Sequence, residues 1–188
     1  MRTDRYAGII EDDFVDSDDG ISVSFWVQGC PFHCPGCHNP QTWDYNGGQK
    51  LPSDFKEQIL AALNKNGVKR NLSILGGEPM CEQNIELVHT LLSFIKFKLP
   101  DTKVYLWTGF TLEDLKHRRK DKLYTKEILQ MVDVLIDGPF EKNLCNTSLK
   151  LRGSFYIPEP AKKRGGKLVS FSAVLKSASW GLRFRYHF

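Results

Sequence analysis

The chain has 188 residues, of which 41% are hydrophobic and 26% charged, with a formal net charge of +4 at pH 7. That balance describes a globular domain with one substantial core, and it excludes a membrane-spanning protein, since no apolar run nears the roughly 18 residues a span needs. The charge is uneven: residues 141–188 carry ten Lys or Arg against two Glu, while residues 1–140 carry sixteen basic and twenty acidic residues. With no nucleic-acid motif beside it, the basic stretch reads as a solvated tail rather than a nucleic-acid site.

The first segment is acidic, with Glu11, Asp12, Asp13, Asp16, Asp18 and Asp19, and no basic-then-apolar leader precedes it, so a cytoplasmic location is expected. Residues 21–28 alternate as a strand, with Ile21, Val23, Phe25 and Val27 on one side and Ser22, Ser24, Trp26 and Gln28 on the other. The strand runs into a loop holding Cys30, Cys34 and Cys37, which Pro31 and Pro35 keep out of regular structure. Residues 53–66 predict a helix: Ser53 or Asp54 can cap it, Phe55, Ile59, Ala62 and Leu63 share a face, and Gly67 ends it. A strand over 71–75 ends at Gly76-Gly77. A helix over 84–98 turns Ile85, Val88, Leu92 and Ile95 inward, and Pro100 follows it. A strand over 103–107 ends at Thr108-Gly109. Thr111 starts a short helix, with Asp114 three residues on. A helix near 122–131 leads to a strand over 132–136, which stops at Asp137-Gly138-Pro139.

Strands and helices alternating at this spacing predict right-handed βαβ units and a parallel sheet, an α/β fold. The cysteines, Gly76-Gly77-Glu78-Pro79, Thr108-Gly109 and Asp137-Gly138 each follow a strand. They are therefore expected on one rim, where parallel α/β folds bind ligands. Residues 155–188 differ. Lys162-Lys163-Arg164-Gly165-Gly166 reads as a linker, and Leu182, Phe184, Tyr186 and Phe188 alternate with Arg183, Arg185 and His187 in a β-like pattern. The organisation expected is one domain over 1–154 and a basic extension over 155–188.

Cys30, Cys34 and Cys37 are spaced C-x3-C-x2-C, and two further cysteines, Cys81 and Cys145, lie apart from them. In a reducing compartment such a cluster reads as metal-binding rather than as a disulfide framework. Three thiolates on a short loop can hold three irons of a [4Fe–4S] cube and leave the fourth open. A cluster built only for electron transfer usually has four protein ligands, and an open position is what distinguishes a catalytic metal. The residues alone also allow structural zinc with His33 or His38 as fourth ligand, although zinc sets usually come as two separated pairs. They equally allow a non-enzymatic electron-transfer or zinc-binding interaction module. A Gly-Gly turn is by itself commonly only a turn. Thr108 fits a helix cap, and Asp137 fits either a turn or a polar contact. Cys81 and Cys145 read as free thiols, and His89, His117 and His187 have no motif around them.

The cysteine loop, continued as His38-Asn39-Pro40-Gln41-Thr42-Trp43, resembles the radical S-adenosylmethionine (SAM) enzymes, and among them the activases of glycyl radical enzymes. Cys34-Pro35-Gly36-Cys37-His38-Asn39, Trp107-Thr108-Gly109-Phe110, Asp137-Gly138-Pro139-Phe140 and Leu151-Arg152-Gly153-Ser154 are similar to the activating proteins of anaerobic ribonucleoside-triphosphate reductase. The likeness covers residues 5–154. Two departures stand out: Gly36 replaces the aromatic that many radical SAM enzymes carry there, and Phe155-Tyr156-Ile157-Pro158 replaces a polar Asn-Gln continuation.

The resemblance implies a partial (β/α) barrel with a mostly parallel sheet. It implies that Cys30, Cys34 and Cys37 ligate one [4Fe–4S] cluster and that SAM chelates the open iron. By the same likeness Gly76, Gly77, Glu78 and Pro79 meet the SAM amino group, Thr108 and Gly109 face SAM, and Gly36, Cys37 and His38 approach its adenosyl part. Asn39 and Trp43 would support the loop. The implied activity is reductive cleavage of SAM and hydrogen removal from a glycine of a large partner, anaerobic ribonucleotide reductase, with no catalytic side chain. The implied electron donor is a small reductant such as flavodoxin. An activase of the pyruvate formate-lyase type and a small-molecule radical SAM enzyme are the neighbouring readings.

Overall fold

Each predicted strand and helix forms, and two strands join them that the alternation did not foreshadow. The computed structural model describes residues 4–146, 151 and 154, and the backbone of 175–176 and 183–184. Strands β1 (Arg5–Asp13), β2 (Ser22–Val27), β3 (Gln49–Lys50), β4 (Asn71–Gly76), β5 (Val104–Trp107) and β6 (Val134–Ile136) form one sheet in the order β3-β1-β2-β4-β5-β6. β2, β4, β5 and β6 run parallel, and β1 is antiparallel to both of its neighbours. The result is a mixed α/β fold with a mostly parallel six-stranded sheet.

Helices α1 (Phe55–Leu63), α2 (Ile85–Lys98) and α4 (Lys122–Met131) connect the parallel strands, with the short α3 (Leu112–His117) before α4. Their apolar residues, among them Phe55, Ile59, Val88, Leu92, Ile95 and Ile128, pack on Val23, Phe25, Val27, Leu72, Ile74, Val104 and Leu106. Burying each such side chain stabilises the fold by about 1.5–3 kcal/mol. α3 starts with the expected capping box, in which Thr111 accepts from the Asp114 amide and Asp114 accepts from the Thr111 amide. α1 is shorter than the run 53–66. It stops at Leu63, and a 3-10 turn over Lys65–Gly67 follows, with Asn66 at φ 57°.

β1 escapes a period-two reading because its pairing with β2 is broken twice, between Tyr6 and Gly8 and between Ile10 and Asp13. Such bulges shift side chains from face to face and erase the alternation. Its acidic residues find cations outside the strand: Glu11 pairs with Lys65 at 2.5 Å and Asp12 with Arg70 at 2.7 Å.

On the helix-free face of the sheet, Ser22 and Ser24 are buried. The acidic segment folds across them: Ser24 Oγ donates to Asp13 Oδ2, Tyr105 Oη to Asp18 Oδ1, and Ser73 Oγ and Asn71 Nδ2 to the carbonyls of Asp16 and Asp19, each at 2.5 Å. Lys103 adds an ion pair to Asp19 at 2.7 Å. The acidic run is thus the floor of this face. Burial, then the neighbouring Asp13, pushes the Asp16 carboxyl up to about 7.

β7 (Leu175–Lys176) and β8 (Arg183–Phe184) form a separate antiparallel pair. The rest of the alternating run over 182–188, and the Lys162–Gly166 linker reading, lie outside the described residues. Among the described residues no helix is long and apolar enough to cross a membrane.

Candidate metal centre and cofactor cleft

The four strand-end signals converge. A cleft of about 210 Å³ opens at the carboxyl ends of β2, β4, β5 and β6, lined by Cys30, Cys34, Cys37, His38, Gly76, Gly77, Glu78, Thr108, Gly109 and Asp137. Asn39, Trp43, Phe32, Phe140 and Ser154 also line it.

The cysteine loop is closed at its base. The Gly29 amide donates to the Thr42 carbonyl at 2.8 Å and the Cys30 amide to the Trp43 carbonyl at 3.1 Å. Gln28, 1% exposed, reaches across with Nε2 to the carbonyls of Asp44 at 2.6 Å and Gln41 at 3.2 Å. Gly29 has φ +95°, and the Tyr45 ring occupies the place a Cβ would take, at 2.1 Å. Within the loop the Cys37 amide donates to the Cys34 carbonyl at 3.0 Å, and the Asn39 amide points to Cys37 Sγ at 3.4 Å.

The glycine turn after β4 lies directly on this loop. The Gly77 amide donates to the Val27 carbonyl at 2.9 Å and the Glu78 amide to the Gly29 carbonyl at 2.8 Å. A Cβ on Gly77 would stand 2.4 Å from the Gly29 oxygen, so only glycine permits the contact. Asn84, fully buried, donates through Nδ2 to the carbonyls of both Gly29 and Glu78.

Glu78 ties the β4 turn to the β5 turn. Its carboxylate accepts from Thr108 Oγ1 and the Gly109 amide, each at 2.7 Å, and from the Met80 amide at 2.8 Å. Burial pushes this carboxyl up to about 7, against the pull of those three donors and of Arg118. Gly109 in turn makes room for Phe32 of the cysteine loop, whose ring would lie 2.7 Å from a Cβ and meets Phe110 edge-on at 4.8 Å. Asp137 lines the cleft, and its carboxylate accepts from the Leu112 amide at the start of α3 at 2.8 Å.

Two predicted residues stand aside. Gly36, at φ +78°, lies under the Lys142 stem, where a Cβ would stand 3.1 Å from Lys142 Cδ, and Pro79 is buried; neither lines the cleft. Cys81 is buried against Tyr45 Oη at 3.7 Å, and Cys145 is exposed. Sequence reasoning missed Gln28, Asn84, Phe32 and Ser154 as parts of the site. Gln28 gives one signal, a polar residue at the end of a strand just before the cysteines.

The donor set decides what the cleft can hold. Three soft thiols on one loop suit iron–sulfur or zinc. All five cysteines are free. Burial pushes Cys30 up to about 11 and also raises Cys34, so these thiols ionise when a cation balances the charge. Among the described residues no three His, Cys, Asp or Glu side chains close around a single ion. Trp43 also lines the cleft and has a buried Nε1 without an acceptor.

A three-thiol loop at the strand ends of a mostly parallel sheet is a donor set that an iron–sulfur cluster can use. The family model for a 4Fe-4S single cluster domain matches residues 18–156. An anaerobic ribonucleoside-triphosphate reductase-activating protein from Enterobacteria phage T4 is 36% identical over 150 residues, 80% of this chain and 89% of the relative. Proteins of the same name from Vibrio cholerae and Escherichia coli are 34% and 33% identical over 136 residues, 72% of this chain and 84% of each relative. The chain belongs to the family of anaerobic ribonucleoside-triphosphate reductase-activating proteins.

Proposed function

We propose that this protein generates a glycyl radical on an anaerobic ribonucleoside-triphosphate reductase by reductive cleavage of SAM at a [4Fe–4S] cluster. The observation that carries the reading is the meeting of three half-buried thiols with three strand-end turns in one cleft. Cys30, Cys34 and Cys37 would hold the cluster, and the strand-end turns line the same cleft. When bound, the reduced cluster supplies the electron that cleaves SAM, and the organic chemistry belongs to the cofactors.

The chain's own part is positioning. Gly76 and Gly77 bring bare backbone to the cleft, where a ligand amino group can approach closely. Thr108 and Gly109 are fixed by Glu78, so the second wall is set before SAM arrives. Glu78 serves SAM through these partners, its oxygens being engaged. His38, set against Phe140 at 5.3 Å, offers an aromatic wall for the adenosyl part. Gly36 acts by letting Lys142 cross the loop rather than by touching SAM. The single-sided order β2-β4-β5-β6 supports a partial (β/α) barrel of the radical SAM type within 1–154. A small reductant such as flavodoxin in the cytoplasm would supply the electron.

The test is anaerobic purification with iron, sulfide and zinc analysis, followed by EPR of the reduced protein with and without SAM. The expected result is four irons per chain and a cluster signal that SAM alters. Colourless protein holding one zinc and refusing iron would overturn the reading in favour of a zinc-binding module.

A further inference from the structure

We propose that the helix-free face of the sheet beside β1 seats the glycine-bearing main chain of the reductase, with Trp26 as the positioning residue and Gly8 as the gap that admits it. The inference rests on the function proposed above and names the surface through which its protein substrate reaches the cleft.

One layer of side chains runs across this face. Trp26 pairs with Leu75, and Trp107 with Ile136, while Leu75 and Trp107 lie one step past the Ile74–Leu106 pair. Leu75, Trp107 and Ile136 line the cleft, so the layer is its apolar base. Trp26 carries the layer outward towards β1, beyond the lining residues.

Three observations point to an arriving backbone there. Opposite Trp26 stands Gly8, and a Cβ built on Gly8 meets nothing within 4 Å among the described residues. The layer has a gap on β1, where each of the four parallel strands supplies a large side chain. Trp26 Nε1 is buried with no hydrogen-bond acceptor among the described residues, a cost that a carbonyl admitted through the Gly8 gap would remove. Trp107 shows the satisfied state in the same layer: its Nε1 donates to the Leu151 carbonyl at 2.7 Å. Finally, Ile10, on the same face two residues beyond Gly8, is 46% exposed, with Phe14 and Val15 at 71% and 78% just past the strand. Below the layer the face is closed by the Asp13–Asp19 floor. A glycine segment suits this seat, because it lacks side chains that would fill the gap. A main-chain carbonyl on Trp26 would hold the segment in register with the cleft.

The test uses the full chain, reconstituted with its cluster, and the purified reductase subunit. Gly8→Phe fills the gap on a residue with ordinary strand geometry. It is expected to keep its iron and its uncoupled, reductant-driven SAM cleavage, while the glycyl radical EPR signal forms about tenfold more slowly or worse. Trp26→Phe keeps the ring and removes the donor, and it is expected to raise the KM for the reductase by about fivefold, the worth of one hydrogen bond. Radical formation at the wild-type rate in Gly8→Phe would overturn the inference. Should Gly8→Phe fail to hold its cluster, Trp26→Phe decides, and an unchanged KM overturns it. Absence of SAM cleavage in the wild-type protein would instead strike the proposed function itself.

Discussion

The two faces of the sheet are made from the same strands and behave oppositely. On one face Val23, Phe25, Leu72, Ile74, Val104 and Leu106 are fully buried beneath α1, α2 and α4. On the other, Ser24, Ser73 and Tyr105 hold an acidic floor, and Leu75, Trp107 and Ile136 stop short beneath a cleft. The first face is a packing problem that any well-fitting apolar set would solve. The second is a set of particular atoms, each with a stated partner or a stated gap. Stability resides mainly on the helical face and chemistry on the bare one.

The comparison breaks most sharply at the thiols. Cys34→Ala is expected to abolish cluster loading and SAM cleavage while leaving the melting temperature of the metal-free protein nearly unchanged; iron analysis and a thermal melt check both halves. Ile74→Ala on the helical face should do the reverse. It should cost about 2–5 kcal/mol in denaturant unfolding, with iron per folded chain intact. Glu78→Gln lies between the two. It removes an acceptor from the Thr108–Gly109 latch, should cost about 1–3 kcal/mol, and should weaken SAM binding measured on the reconstituted protein.

The smallest effect concerns the floor. The folded pKa of Asp16, about 7, lies above its ordinary value of 3.8, so the fold favours the protonated acid. The associated stability is present below about pH 4, is lost as pH rises, and is gone above about pH 7. Asp13 is shifted the other way, and its window lies below 3.8. Asp16→Asn, which mimics the neutral acid, should flatten the fall in melting temperature between about pH 4 and pH 7. An identical fall in the variant would show that Asp16 does not titrate in this range.

Legibility in the sequence followed the same division. The helical face was readable because α2 repeats Ile85, Val88, Leu92 and Ile95 at helical spacing, and all four are buried. The rim was readable because four special segments, the cysteines among them, each follow a strand, and strand ends of parallel sheets share one rim. The floor was not: Ser22 and Ser24 look like solvent-facing alternation until residues 14–20 fold over them, a long-range event that local pattern cannot carry. β1 was hidden by its two bulges. Gln28 and Asn84 were seen only as a strand residue and a helix start, because their roles depend on carbonyls elsewhere in the chain. The three thiols and the turns that face them could be named in advance. What could not be named was how Glu78, Gln28 and Asn84 hold those turns in place.

The central claim is that three thiols and an open cleft serve to make a radical on another protein. The direct measurement is EPR of the reduced, cluster-loaded protein mixed anaerobically with SAM and the reductase subunit. The account predicts a glycyl radical doublet that requires SAM and disappears when any one of Cys30, Cys34 or Cys37 is replaced by Ala. A loaded cluster that cleaves SAM yet leaves no radical on the reductase, or a radical that survives loss of a cysteine, would contradict it.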